Sequence, residues 1–466
     1  MKTFRMFTFV LVIAFVLAAC GPAATETPMD EPAVEEAAPT EEAPEEPVAT
    51  EVPATEEVPA GLTCTEPIKI GLITDATGPL AIYGAHILRS FMLGMEYATG
   101  TAGSAGETFD FTATQENTFM LDGCEIQVFV RDDQSNPENT ATIARELIDV
   151  QNVDLLVGTV SSGATATLQG IALESSVPLI VGPAAANDIT GINFNEYTFR
   201  VSRNNYQDAI NECAYLTKQY ETFVQIAPDY AFGRGSAAAF RDACTLDGGE
   251  FSADDIFAPA DTTDFTPYME QVLDSGAEAY IVSWAGSGFV PLMQAATDLG
   301  VSENMALGAT FIDNVLMPIW YGNAVGSTSG ILYHYTAPNN EINDFLTAQD
   351  KARYSTAPDL FDADGMNAAI MVVESIKAVE GKMDGATLIS AMEGMTFEGP
   401  KGTIEIRPED HVALQDMYIL KLVDLTATDA AFYEYVETTR PEPPCLLPEE
   451  LKDRCGALPY GSLSGE

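Results

Sequence analysis

Between Ile68 and Leu307 the chain alternates two hydrophobic patterns. Short β-branched runs are each followed by a longer stretch with apolar residues at helical spacing, as for buried strands and amphipathic helices. The first series predicts strands at 68–73, 126–131, 153–157 and 178–181, with helices at 85–98, 141–150 and 165–173. In the second of these helices Ile143 and Leu147 stand one turn apart on the same face. After Arg200 the alternation restarts, with helices at 207–218, 236–247, 265–273 and 289–299 and strands at 223–227, 251–257, 279–283 and 305–307. This order predicts an α/β fold of mainly parallel sheets, and the restart predicts two doubly wound lobes. Ligands of such sheets bind beyond the carboxyl ends of the strands, so the cleft between the lobes is the expected site.

The N-terminus follows a different pattern. Lys2 and Arg5 precede an apolar run from Phe7 to Ala19, which is short for a membrane span. The run ends in Leu17-Ala18-Ala19-Cys20-Gly21, which resembles the lipobox of bacterial lipoproteins. The resemblance implies a lipidated Cys20 as mature N-terminus and an extracytoplasmic, lipid-anchored protein, in the periplasm or on the cell surface. Residues 22–60 are almost entirely Pro, Ala, Thr, Val and Glu, with 12 acidic residues and no basic one. Such a segment buries too little apolar area to offset its ordering entropy, and is expected to be a stiffened acidic tether.

Charge narrows the function classes. Lys and Arg total 21 against 70 Asp and Glu, a formal net charge of −49 over 466 residues. A nucleic-acid partner is excluded, because phosphates need basic surface. Beyond Cys20 there are six cysteines: Cys64, Cys124, Cys213, Cys244, Cys445 and Cys455. An even number in an exported chain suggests disulfides, and six cysteines allow 15 connectivities. Pairing of sequence neighbours is favoured over buried thiols. Cys64 and Cys124 precede predicted strands, Cys213 and Cys244 lie on successive predicted helices, and Cys445 and Cys455 would close a C-terminal loop.

Catalytic chemistry is sparse. His86, His334 and His411 sit in no metal or triad motif, and no phosphate-loop or nucleophile-elbow sequence is present. No catalytic residue, cofactor or metal is expected, and a hydrolase or isomerase reading lacks a nucleophile–base pair. The loops after the predicted strands are more informative. They include Tyr83-Gly84, Ser161-Ser162, Gly182 to Ala186, Tyr230-Ala231-Phe232 and Ser283-Trp284. Small residues, a hydroxyl and amide N–H groups at helix starts suit a carboxylate, and the aromatics suit an apolar or flat body.

These segments resemble the periplasmic branched-chain amino-acid-binding family, the type I solute receptors of ABC importers. The resemblance runs from Pro67 to Val423 through IKIGLITDATGPLAIYG, VRDDQSNP, VDLLVGTVSS, VPLIVGPAAA, PDYAFGRG and FEGPKGTIEIRPEDHVALQDMYILKL. It implies three crossings between lobes, near 201–203, 332–335 and 396–399. The expected organisation is a signal peptide at 1–20, a tether at 21–62, lobe 1 at 63–200 plus 335–396, lobe 2 at 201–334 plus 397–440, and a tail at 441–466. Carried over residue by residue, it implies ligand contacts at Tyr83, Ser162, Ala184, Ala185, Ala186, Phe232 and Trp284. Family members that bind amino acids place a glutamate on the ammonium group, and residues 308–313 offer only Asp313. The resemblance implies a monomer that binds a small carboxylate and delivers it to a permease and ATPase. A branched-chain or other α-amino acid is the leading ligand class and an aromatic or other non-amino acid the alternative. Sensing for a signalling partner is the alternative role.

Overall fold

The computed structural model describes residues 62–103, 105, 115–309 and 313–465. Cys20, the signal segment and the tether lie outside the described residues, as do residues 310–312 beside Asp313.

The first lobe is built on β1 (Ile68–Thr74), α1 (Ala81–Thr99), β2 (Gln115–Leu121), β3 (Cys124–Asp132), α2 (Pro137–Glu146), β4 (Leu155–Val157), α3 (Ser162–Ser175), β5 (Leu179–Val181) and β6 (Thr198–Arg200). Its sheet order is β2-β3-β1-β4-β5-β6, parallel except for the antiparallel edge strand β2. Strands β1, β4, β5 and β6 are almost entirely buried, which explains their unbroken apolar runs.

The chain then passes through residues 201–204 into α4 (Asn205–Leu216), β7 (Thr222–Pro228), α5 (Ala231–Leu246), β8 (Glu250–Phe251), β9 (Ile256–Ala258), α6 (Thr266–Asp274), β10 (Ala279–Val282), α7 (Phe289–Asp298), α8 (Val301–Asn304) and β11 (Ala306–Ala309). All ladders of this second sheet are parallel: β10 lies between β7 and β11, and β8 and β9 both pair with β7. The single strand predicted over 251–257 is therefore two. The Asp255 carboxylate between them accepts from Arg241 and Gln225, and that local pairing interrupts the ladder.

After α9 (Met317–Trp320), strand β12 (Thr328–Ile331) starts a small antiparallel sheet. The chain returns to the first lobe as α10 (Glu341–Tyr354), α11 (Asp362–Ala378) and α12 (Gly385–Met392), with α11 packed along α1. A hairpin, β13 (Thr396–Gly399) and β14 (Gly402–Ile406), with β15 (Ala413–Leu414), leads to β16 (Met417–Leu422) and β17 (Tyr433–Thr439), which complete the sheet begun by β12. Three passages between two lobes define a type I periplasmic binding fold.

Neighbouring cysteines pair: Cys64–Cys124, Cys213–Cys244 and Cys445–Cys455. The first bond ties the lead-in of β1 to the start of β3, and the second joins α4 to α5. The C-terminal tail closed by the third bond touches both lobes. Arg454 donates to the Glu393 carboxylate beyond α12 and to the carbonyl oxygens of Pro408 and Glu409. The Leu463 N–H donates to Asp242 on α5.

Candidate functional site

Several helices begin earlier than their hydrophobic period indicates, and these extra turns build the site. The Asp75 carboxylate accepts the N–H groups of Gly78 (2.5 Å) and Leu80 (2.9 Å), so α1 starts at Ala81 and holds Tyr83 in its first turn. Gly84 is required there, because a Cβ would lie 1.6 Å from the Asp75 carbonyl oxygen. Ser162 is the first residue of α3, and Phe232 is in the first turn of α5.

A cavity lies between the lobes at the carboxyl ends of both sheets. Its first-lobe wall includes Leu80, Tyr83, Val160, Ser162, Pro183, Ala184, Ala185 and Phe361. Tyr230, Phe232 and Ala285 face them from the second lobe, and Arg203 enters from the first crossover. Of the residues expected at the site, Tyr83, Ser162, Ala184, Ala185 and Phe232 are brought together. Ala186 lies just behind, its N–H donating to Ser162 Oγ at 3.2 Å. That hydroxyl keeps its own proton to donate.

The loop from Pro183 to Ala186 is held by its carbonyl oxygens. Arg203 Nη1 donates to Pro183 O (2.7 Å), Arg200 Nη1 to Ala184 O (2.5 Å), the Asn205 N–H to Ala185 O (2.9 Å) and Arg200 Nη2 to Ala186 O (2.5 Å). With all four carbonyls engaged, the Ala184 and Ala185 N–H groups have no acceptor among the described residues. Two N–H donors held in this way are suited to an anion, as at other backbone anion sites. Below it, Asp133 accepts from Thr140 Oγ1, Thr159 Oγ1 and the Ser135 N–H. Burial pushes the Asp133 carboxyl up to about 6.

The remaining wall is aromatic. Tyr83 stands edge-on to Phe361 at 5.0 Å, and Tyr230 lies 5.9 Å from Phe232. The Tyr83 hydroxyl accepts the Gly286 N–H at 3.4 Å, and the Ser287 N–H reaches Pro79 O at 3.4 Å, so the lobes meet at this edge. Gly286 has φ +74°, and a Cβ there would lie 2.5 Å from Leu80 Cδ2 and 2.7 Å from Pro79 O.

Two further expected residues are absent from that lining. Trp284 packs edge-on to Phe265 at 4.8 Å in the second-lobe core and borders an adjoining groove between the lobes, which shares Leu80, Tyr230 and Ala285 with the cavity. Asp313 is not in the cavity lining; its Oδ1 accepts the N–H groups of Val315 and Leu316 ahead of α9. Burial raises its carboxyl, and its charge helps hold the Tyr83 phenol far above the usual range, after burial itself. Arg203 and Phe361 were not anticipated as lining residues. Arg203 carried a signal, a cation at a predicted crossing, close to Arg200, in a chain short of cations. Phe361 carried none, because it reaches the cleft from a helix start some 280 residues after Tyr83.

A two-lobe α/β receptor is the class that this fold and cleft define. The sequence profile of the periplasmic binding protein family matches residues 67–428, and the chain belongs to that family. It is a solute-binding protein of an ABC transporter. A Leu/Ile/Val-binding protein homologue of Brucella melitensis is 26% identical over 387 residues, covering 80% of this chain and 92% of the relative. A crystal structure of an ABC-type branched-chain amino acid transporter from Rhodopseudomonas palustris is 34% identical, with a TM-score of 0.66 and 80% and 97% of the two chains covered. A solute-binding protein from another R. palustris strain, crystallised with 3,4-dihydroxybenzoic acid, is 26% identical with a TM-score of 0.68 and the same coverage. Among the described residues no helix is long and apolar enough to cross a membrane.

Proposed function

We propose that the chain is a monomeric extracytoplasmic receptor, anchored through lipid on Cys20, that captures a small carboxylate lacking an ammonium group and delivers it to an ABC permease and ATPase. An aromatic acid is the favoured class. The carboxylate would sit on Ser162 Oγ and the N–H groups of Ala184 and Ala185, near Arg203. Its ring would lie among Tyr83, Tyr230, Phe232 and Phe361. The observation that carries this reading is the charge of the wall: the described lining holds one cation, Arg203, and no carboxylate. An α-ammonium group buried there would lack an anionic partner, which is costly. The solved relative with 3,4-dihydroxybenzoic acid supports the same class.

An α-amino acid is the second reading. It is favoured by Asp313, whose charge reaches Tyr83, and by the 34% identical branched-chain transporter.

Thermal unfolding against aromatic acids, aliphatic acids and amino acids separates the two. A ligand at 1,000 times its Kd stabilises by about 4 kcal/mol, a shift of several degrees. Shifts with acids that have no amine are expected. Shifts only with amino acids would replace the first reading by the second.

A further inference from the structure

Behind the cavity wall the hinge holds a cluster of buried charges. Arg200 ends β6, Arg203 lies in the crossover, Lys401 is in the β13–β14 turn, Asp208 is on α4 and Asp364 is on α11. None is more than 5% exposed. Pairing among them is sparse. Arg203 Nε donates to Asp208 Oδ1 at 3.2 Å. Lys401 Nζ donates to the neutral Gln415 Oε1 at 2.8 Å. Arg200 spends its donors on the loop carbonyls and Thr190 Oγ1. Neither oxygen of Asp364 has a hydrogen-bond partner among the described residues.

The surrounding groups do not alter the count. Arg407 and Asp410 form a bidentate pair. Asp416, next to Lys401, pairs with Arg440 at 3.2 Å; Glu405, half-exposed, also reaches Arg440 at 4.0 Å, outside the buried cluster. His411 is pushed down by burial and Glu212 up to about 8, so both are uncharged at neutral pH. Three cations therefore face two carboxylates, an excess of one positive charge inside the hinge. Burial makes that excess costly, and one of its members, Arg203, opens into the cavity.

We infer that this cluster is a charge selector: Lys401 and Arg200, which do not line the cavity, act with Arg203 to set the preference for a ligand of single negative charge. The inference rests on the carboxylate reading above and adds that selection reaches past the cavity wall into the hinge. A monoanion in the cavity balances the cluster; a neutral or zwitterionic ligand leaves the excess in place. Burial lowers Lys401 to about 8, so anion affinity falls as pH rises through that value.

The test compares the wild-type full-length chain with Lys401→Met and Asp364→Asn, using benzoate, the neutral benzamide and L-leucine as calorimetric probes at pH 7. Lys401→Met should weaken benzoate about tenfold or more and leave benzamide unchanged. Asp364→Asn, which enlarges the excess, should strengthen benzoate. Opposite signs distinguish charge selection from structural damage, which would weaken both probes in both variants. Equal loss of benzoate in the two variants overturns the inference and leaves the carboxylate reading intact. Binding of L-leucine without benzoate overturns the aromatic reading. In that case, and if no probe binds, the ligand-free unfolding midpoints decide the inference. The excess requires Lys401→Met to raise the midpoint and Asp364→Asn to lower it, and shifts of the same sign overturn it.

Discussion

The two edges of the cleft are built on different principles. The first-lobe edge is polar and fixed: four successive carbonyls of residues 183–186 are tied down by Arg200, Arg203 and Asn205. Asp133 braces the floor through three further bonds. The second-lobe edge offers Tyr230, Phe232 and Ala285, and meets its partner through hydrogen bonds of 3.4 Å at Gly286 and Ser287 and one of 3.2 Å from Asn187 Nδ2 to Gly235 O. In the proposed function the first edge suits a charged group and the second an apolar body. A receptor that must bind and release gains from this division. Orientation entropy is spent once, in folding the first lobe, while closure depends on contacts weak enough to reverse.

The comparison can be broken at four places, in decreasing order of expected effect. Arg203→Met removes the hinge cation that lines the cavity and leaves Asp208 buried without its hydrogen-bond donor. A loss of about 3–5 kcal/mol in folding stability is expected by urea unfolding, and carboxylate binding should go with it. A midpoint unchanged from wild type would show that Arg203 is not the brace described.

Ser162→Ala targets the fixed edge without touching its frame. A lost hydrogen bond to a charged group costs about 1.5–3 kcal/mol, roughly 10- to 150-fold in affinity by calorimetry. Stability should barely change. Unaltered affinity would move the carboxylate away from α3.

Gly286→Ala attacks the covering edge. A Cβ at φ +74° is strained, and it also meets Leu80 and Pro79 across the cleft. The variant should fold but close poorly, with affinity reduced about tenfold and a larger radius of gyration with ligand by small-angle scattering. Normal closure would mean that the lobes do not meet here in the bound state.

Asp313→Asn is expected to do least, with affinity for an amine-free acid within about twofold of wild type, as for a group that makes no contact with ligand. A sharp loss confined to amino acids would restore Asp313 as an ammonium partner.

The sequence located the cleft loops better than it located the helices beside them. Helices predicted at 85–98, 165–173 and 236–247 begin instead at Ala81, Ser162 and Ala231. The reason is physical. Hydrophobic period reports residues that face a core, and these first turns face a cavity. Tyr83, Ser162 and Phe232 all lie in the turns that the pattern does not mark. Trp284 illustrates the reverse: an aromatic after a strand does not show in sequence that one side of its ring packs on Phe265 while it borders the adjoining groove and not the main cavity.

Strand and helix order, the lobe restart after Arg200 and the acidic balance are local or additive properties, so the sequence alone determined them. Neighbouring cysteines on adjacent elements made their pairing legible too. The tertiary structure alone decided the rest. It brought Phe361 against Tyr83, held the carbonyls of residues 183–186 through Arg200, Arg203 and Asn205, and gathered Arg200, Arg203, Lys401, Asp208 and Asp364 into one hinge. These are contacts across as many as 280 residues of chain. Their energies depend on burial and direction, which residue spacing does not carry.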